Sequence, residues 1–363
     1  MLINNMHLQN FRNYGDQKIK FMPGTNILIG DNGQGKTNIV EGIYYLLTGK
    51  SYRVQREHDL LRWEQSEFHL YGDFISKNHK IFLESHYKNK KKMVKINQVP
   101  CQRLSDFVGT INVIFFSPDD LVMIKGGPLE RRRFLDLHIA QMRPGHVSIL
   151  NAYNKVIQQK SALLKLSLEK SHKYSQLQLW NEQIIELGIK IMINRADMTE
   201  RLQAAADLIY DNLTSYKEKM QVFYLALGKK NLREAINEYP KLLNDKLDQE
   251  IERQMVLVGP HRDDLQILLN DKPARLYASQ GQQRSIVLSL KLAELELINQ
   301  EKGEYPLLLL DDVLSELDRF RREYLIKFIE LSRIQTIITM TSADNHQLGT
   351  LYRVEQGHIR REP

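Results

Sequence analysis

The octapeptide Gly30-Asp31-Asn32-Gly33-Gln34-Gly35-Lys36-Thr37 follows the pattern G-x-x-x-x-G-K-[ST]. It stands directly behind the apolar run Asn26-Ile27-Leu28-Ile29 and ahead of Ile39, Val40, Ile43, Leu46 and Leu47, which recur at helical spacing. Strand, glycine-rich loop and helix in that order commit this part of the chain to an α/β sheet in which the strand is buried and the loop sits at its end. The chemistry follows from the residue types. Glycines let backbone N–H groups curl round a phosphate, and the helix N-terminus adds partial positive charge. Lys36 reaches the β and γ oxygens of a nucleotide, and the Thr37 hydroxyl can ligate Mg²⁺.

Around this loop the chain divides by pattern. Residues 1–30 alternate short apolar runs with turns, and 67–98 look like antiparallel strands, with Phe68, Leu70, Gly72 and Phe74 on one side. Val113-Ile114-Phe115-Phe116 is a further short buried strand. From Pro128 to about Leu213 the periodicity is helical. Leu177, Trp180, Ile184, Leu187, Ile191, Met198, Leu202, Ala205 and Ile209 step by three and four, with one gap near Asn194. A helix carrying that stripe is about 50 Å long and serves as the core of a small helical lobe or as a partner-binding coiled coil. Strand and helix signals then alternate to the end, giving an α/β domain split by a mainly helical insertion. The expected division is 1–120 with 221–363 as the α/β head and 121–220 as the insertion.

A second chemical element is Leu307-Leu308-Leu309-Leu310-Asp311-Asp312. A strand buried on both faces that ends in two carboxylates puts Asp311 at the sheet edge, where Mg²⁺ beside the phosphates needs a hard oxygen ligand. Asp312, one residue on, can orient and deprotonate an attacking water. The third element, Tyr277-Ala278-Ser279-Gln280-Gly281-Gln282-Gln283-Arg284, opens a helix only 32 positions before Asp311. Ser with Gly and Gln at a helix N-terminus is a second anion-binding device. Ser279-Gln280-Gly281-Gln282 resembles the L-S-G-G-Q signature of ABC-type ATPases, with Gln280 in place of the first glycine, and Ser315-Glu316-Leu317-Asp318 resembles their D-loop. Two such chains facing head to tail can close both devices on one γ-phosphate.

Phe11-Arg12-Asn13-Tyr14, the loop ending Gly35-Lys36-Thr37-Asn38, Phe116–Leu121, Arg131-Arg132-Arg133-Phe134-Leu135-Asp136, Gly259-Pro260-His261-Arg262-Asp263-Asp264, Ser279–Arg284 and Asp311–Asp318 stand in the order seen in the RecF family. The resemblance runs nearly end to end, to the bacterial DNA replication and repair proteins among the SMC-like ATPases. It implies an ABC-type P-loop ATPase head of mixed sheets and helices with a helical lobe. Gly30–Asn38 and Arg12 would bind ATP, Thr37 and Asp311 would hold Mg²⁺, and Asp312 would be catalytic. Ser279–Gln282 and Asp318 would act across an ATP-dependent homodimer. It further implies a slow DNA-stimulated ATPase of the cytoplasm that acts at gaps or single-strand/double-strand junctions. The implied partners are RecO and RecR, in loading recombinase RecA and supporting replication and the SOS response.

Two departures limit the carry-over. ABC ATPases usually place a Gln after the strand that here ends Phe115-Phe116-Ser117, and this chain has Pro118-Asp119. They place a His after the strand that here reads Thr336–Thr339, and this chain has Met340-Thr341-Ser342. A γ-phosphate sensor is therefore unassigned, and slow turnover is expected, since Asp312 is also shorter than the usual Glu.

Composition bears on partners and compartment. With 51 Lys+Arg against 44 Asp+Glu the formal charge is +7, which suits a polyanion without requiring one. Lys88, Lys90, Lys91, Lys92 and Lys95 cluster at a strand turn, as a solvated hairpin tip or a phosphate-contacting surface. The arginine triplet 131–133 pairs within the fold or meets DNA. A single cysteine, Cys101, excludes an intrachain disulfide, and no apolar run reaches the roughly 20 residues of a membrane helix. Two other classes share the loop: the ATPase engine of a transporter, and a P-loop enzyme acting on a small molecule.

Overall fold

The computed structural model describes residues 1–166, 170–341 and 349–362. Two compact units result: residues 1–120 with 291–363, and residues 121–290.

The first unit holds two sheets. Strands β1 (Leu2–Phe11), β2 (Tyr14–Lys20), β4 (Glu67–Ser76), β5 (His79–Lys88), β6 (Lys91–Ile96) and β7 (Val99–Pro100) form an antiparallel sheet in the order β2-β1-β4-β5-β6-β7. Its alternation is clean: Phe68, Leu70 and Phe74 are buried while Glu67, His69 and Tyr71 turn to the other face. The other sheet runs β15-β14-β3-β13-β12-β8, from β3 (Thr25–Ile29), β8 (Val113–Phe116), β12 (Leu307–Asp311), β13 (Thr336–Met340), β14 (Thr350–Glu355) and β15 (His358–Arg361). All but β15 are parallel. Strands β3, β12 and β13 are almost wholly buried, as expected where helices of the βα units cover a parallel sheet. Helix α1 (Lys36–Thr48) follows β3, and α10 (Val313–Glu316) and α11 (Arg319–Ser332) lie between β12 and β13.

The register places the site. Asp311 pairs with Thr339, and Met340 pairs with Ile29, so the loop after β3 and the carboxylates after β12 emerge from the same C-terminal edge. Ligands of open α/β sheets bind at that edge.

The second unit contains α2 (Val122–Lys125), α3 (Pro128–Met142), α4 (Gly145–Lys165), α5 (Lys170–Thr214), α6 (Leu232–Asp245), α7 (Leu247–Arg253) and α8 (Ala274–Tyr277). It also contains a small sheet ordered β11-β10-β9, from β9 (Met220–Leu225), β10 (Asp264–Leu269) and β11 (Lys272–Pro273). Helix α9 (Gln280–Lys302) begins in this unit and ends in the first. The expected return to the α/β unit at 221 is corrected to 291. Strand β9 is tied to α5, where Gln203 accepts from the Val222 N–H and Tyr210 donates to Glu218 at 2.7 Å, and its partner strand is β10. Residues 221–290 therefore complete the helical unit.

Helix α5 is longer than the stripe implied: 45 residues, or about 67 Å. The gap near Asn194 is filled by polar pairing. Arg195, buried, makes a bidentate pair with Asp136 of α3 at 2.8 Å for both contacts and donates to Pro260 O at 2.6 Å, while Asn194 meets His146 of α4 at 3.1 Å. Removing one partner would leave a buried charge unpaired, so Arg195→Met should unfold this unit at lower denaturant, costing about 3–5 kcal/mol in a urea titration.

Candidate nucleotide site

The glycines of the loop are there for backbone reasons. Gly30 has φ 154°, and a Cβ on it would lie 2.2 Å from Val354 O. Gly35 has φ 119°, and a Cβ there would strike Asn13 Nδ2 and Tyr14 OH, both at 2.6 Å. The turn is cinched from outside: Tyr14 OH donates to Gly35 O at 3.0 Å, and Asn13 Nδ2 to Gln34 O at 3.0 Å. From the C-terminal hairpin, the Gln356 N–H donates to Gln34 Oε1 at 2.6 Å and the Gly357 N–H to Gln34 O at 3.2 Å.

Within this cradle Lys36 is buried, and its Nζ donates to Gly30 O at 2.6 Å and Asp31 O at 2.8 Å. Burial pulls its ammonium below the ordinary range, against the opposing pull of Asp312, Asp311 and Asp31. A cation held by two loop carbonyls among three carboxylates is poised to exchange those neutral acceptors for phosphate oxygens. Next to it the Thr37 hydroxyl donates to Asp311 Oδ1 at 2.9 Å. Asp311 also accepts from Thr339 Oγ1 at 2.8 Å and from Tyr52 OH at 3.4 Å. Burial raises its carboxyl above the usual carboxylate range, partly offset by those hydroxyls. Hydroxyl and carboxylate oxygens gathered at the loop are the donor set Mg²⁺ prefers, and a buried carboxylate with no cation partner nearer than these hydroxyls is what such an ion satisfies. Thr37 and Asp311 fit Mg²⁺ on these grounds.

Asp312 is exposed and left-handed, with φ 55°. Its N–H donates to Thr339 Oγ1 at 2.9 Å, and its Oδ1 accepts from Ser315 Oγ at 2.9 Å. These bonds fix the carboxylate while leaving it open to solvent. Asp318 accepts from the Arg321 N–H at 2.9 Å and pairs with the Arg321 guanidinium, so it is the N-cap of α11.

Arg12, expected at the nucleotide, has partners within the chain. Its guanidinium grips Glu41 of α1 with both contacts at 2.8 Å and donates to Asp59 O at 2.7 Å. Asn38 lies in the same region, donating to Asn13 Oδ1 at 2.8 Å and accepting from Arg53 at 2.9 Å. Glu41, Tyr52, Thr339 and Gln356 were not foreseen. Glu41 had a signal, a carboxylate on the buried stripe of α1, while the others carry none a single sequence displays. A cavity of about 640 Å³ borders the Gly30–Gln34 flank of the loop and the β14–β15 hairpin. Lys36, Thr37 and Asp311 do not line it. Ser342, at the position of the missing His, lies outside the described residues.

In the second unit Ser279 and Gln282 form a reciprocal cap at the start of α9. The Ser279 N–H donates to Gln282 Oε1 at 2.7 Å, and the Gln282 N–H donates to Ser279 Oγ at 3.3 Å. Gln282 Nε2 also donates to Glu218 at 2.7 Å. Ser279 and Gln280 are exposed, and Gly281 and Gln282 half-buried.

Most residues of the remaining motifs have partners within their own unit. Arg131 pairs with Asp264 at 2.7 and 3.0 Å, Arg132 donates to Asp263 O at 2.6 Å, and Arg133 pairs with Glu130 at 3.4 Å. His261 Nδ1 is 2.7 Å from Tyr153 OH, and burial holds its imidazole down at about 4. Arg262 donates to Val256 O at 3.1 Å. Arg131, Arg132, His261 and Asp263 are thus tied into the helical unit, while Arg133 and Arg262 stay exposed at its surface. Three of the five lysines are likewise engaged. Lys88 pairs with Glu67 at 3.0 Å and Lys95 with Glu84 at 3.0 Å, while Lys92 bonds Glu57 at 2.9 Å and Gly49 O and lies over the Tyr45 ring. Lys90 and Lys91 are exposed at the turn, and neither has an acidic partner among the described residues.

Residues 2–359 match the family model described as the RecF/RecN/SMC N-terminal domain. The chain is 61% identical over 359 residues to a DNA replication and repair protein RecF of Desulfitobacterium hafniense, covering 98% of both chains. It is 39% identical over 371 residues to the RecF protein of Halalkalibacterium halodurans, covering 100% of both. The chain belongs to the RecF family. Its structure superposes at a TM-score of 0.92, with 31% identity and coverage of 99% of this chain and 97% of the other, on a structure described as the recombination mediator protein RecF with ATP in the RecFOR pathway. An SMC head bound to a winged-helix domain shares the fold at a TM-score of 0.59 and 16% identity. Membership of the RecF family, whose curated members are named for DNA replication and repair, sets aside the transporter engine and the small-molecule enzyme. Among the described residues no helix is long and apolar enough to cross a membrane.

Proposed function

We propose that this RecF-family chain is an ATP-gated DNA-binding protein of recombinational gap repair. ATP joins two chains head to tail, the dimer holds double-stranded DNA at a gap or single-strand junction, and slow, DNA-stimulated hydrolysis releases it. RecO and RecR are its proposed partners in loading recombinase, in the cytoplasm at the nucleoid. The observation that carries the reading is the Thr37–Asp311 contact beside the hooked ammonium of Lys36. The nearby structure described as RecF with ATP supports it.

Lys36 binds the β and γ oxygens, and the loop N–H groups and the start of α1 take the remaining phosphate charge. Thr37 and Asp311 would hold Mg²⁺, which neutralises charge on the phosphates. Asp312, steadied by Ser315 and Thr339, accepts the proton of the attacking water. Ser279 of the second chain, its hydroxyl hydrogen not used by the Gln282 cap, donates to the γ-phosphate across the dimer.

Lys36→Ala tests the reading. It removes charge-assisted contacts to phosphate, so ATP affinity measured by calorimetry should fall about ten- to a hundredfold, with an unchanged circular dichroism spectrum. Parental affinity would sink the assignment.

The lysine turn gives a separate test. Duplex affinity should fall with log salt by about 0.9 per phosphate neutralised. Lys90→Ala with Lys91→Ala should flatten that slope by up to about 2, without disturbing the packed Lys92. An unaltered slope would place the DNA on another surface.

A further inference from the structure

The antiparallel sheet of the first unit buries one face and turns the other outward, and on the outward face two histidines meet. His69 of β4 and His86 of β5 are directly opposite in the register, and their rings stack at 3.6 Å with 28° between planes. Glu67, two residues from His69 and so on the same face, brings Oε2 to 3.0 Å from His86 Nε2 and 3.9 Å from His69 Nε2. The three ligand atoms all lie within 4.8 Å of one another.

We propose that Glu67, His69 and His86 form a site for a divalent transition-metal ion, Zn²⁺ foremost, with one coordination position left open to solvent. None of these residues belongs to the nucleotide site, and the inference does not depend on that reading.

The distances fit. Tetrahedral zinc with bonds of about 2.0–2.1 Å separates its ligand atoms by roughly 3.4 Å, and the two measured separations bracket that value. The donor set selects the ion: two imidazoles and one carboxylate suit zinc and its neighbours, whereas Mg²⁺ and Ca²⁺ favour oxygen alone. A partner outside the trio orients it. Tyr71 OH lies 2.8 Å from His69 Nδ1, which leaves Nε2 as the ring nitrogen turned to Glu67, the arrangement that outer partners impose on metal-bound histidines.

Against the ion stands Lys88, whose Nζ is 3.0 Å from the same Glu67 oxygen. Its side chain is 52% exposed at the end of β5, and solvent-exposed pairs of this kind contribute little, so it can give way. Glu84 and Lys95, also on this face, pair with each other at 3.0 Å and do not compete.

The test uses the tag-free, full-length chain, stripped with EDTA and desalted, without nucleotide. Titration with Zn²⁺ by calorimetry should give one site per chain, and Co²⁺ should give the intense visible bands of a tetrahedral complex. His69→Ala with His86→Ala should weaken Zn²⁺ binding at least about a hundredfold, and Tyr71→Phe about tenfold through loss of the outer partner. Lys88→Ala should tighten it. ATP affinity measured alongside establishes that each variant is folded. Absence of stoichiometric uptake by the parent, or uptake by the double-histidine variant equal to the parent's, would overturn the site. If the double variant is unfolded, His86→Gln and Lys88→Ala decide the matter, since affinity that moves in neither has no source in this cluster.

Discussion

Asp312→Asn should cut steady-state ATP hydrolysis by about 10²- to 10⁴-fold while leaving Mg-ATP binding and ATP-dependent association at parental levels. The substitution spares the fold for a specific reason. Position 312 is left-handed, and Asn tolerates that conformation better than other non-glycine residues. The Asp312 N–H to Thr339 Oγ1 bond is made by backbone and survives, and an amide oxygen can still accept from Ser315. Binding is spared because Thr37, Asp311 and Lys36 are untouched. Only the capacity to take a proton from water is lost. Single-turnover hydrolysis read beside nucleotide affinity separates the two effects, since removal of a group used only in the transition state lowers the rate and not the binding. Hydrolysis at the parental rate would show that Asp312 is not the base, and weakened Mg-ATP binding would place it among the groups that hold the metal ion.

How much of this was legible beforehand depends on how far apart the interacting residues are in sequence. The Gly30–Thr37 loop is local, and its glycines, its lysine and the strand before it all lie within a dozen residues. Asp311 is legible because four leucines in succession read as a strand covered on both faces, which brings the first carboxylate after it to the sheet edge. The partners that finish the site are not legible. Thr339 and Tyr52 come to Asp311 from 28 and 259 residues away, and nothing in either segment marks it for that role. The same distance hid the partners of Arg12 and of three of the lysines. Lys92 finds Glu57, 35 residues distant, and Arg12 finds Glu41, 29 residues distant, so positive charges that read as free for phosphate are neutralised by strand pairing and by α1. The boundary at 290 was hidden because β9 and β10 carry the same alternating pattern as the strands of the other unit. Only their pairing with each other and with α5 shows where they belong. Asn194 and Arg195 are the converse case, where the gap in an apolar stripe is a buried polar clasp.

The proposed head-to-tail dimer carries the other large effect, and the geometry of the α9 cap shapes how to test it. Ser279→Arg should bind ATP as a monomer, because the Lys36 loop of the same chain is intact, and should lose ATP-dependent association, because a long cation fills the space the partner's γ-phosphate must enter. Ser279 is also a helix cap, however, and its loss costs about 1 kcal/mol at α9 by itself. Ser279→Asp removes that ambiguity. Aspartate keeps the cap and suits a helix N-terminus, yet sets a carboxylate against the phosphate. Both variants should therefore fail to associate by light scattering with ATP, although only the first weakens the cap. Mixing either one with a Lys36→Ala chain sharpens the result. One composite site then carries both lesions and the other neither, because ATP on the Ser279 variant meets an intact Ser279 from its partner. Association and part of the hydrolysis should return, although each chain alone shows none. Should Ser279→Asp associate and turn over ATP like the parent, the serine serves only as a cap, and the γ-phosphate is closed by other residues.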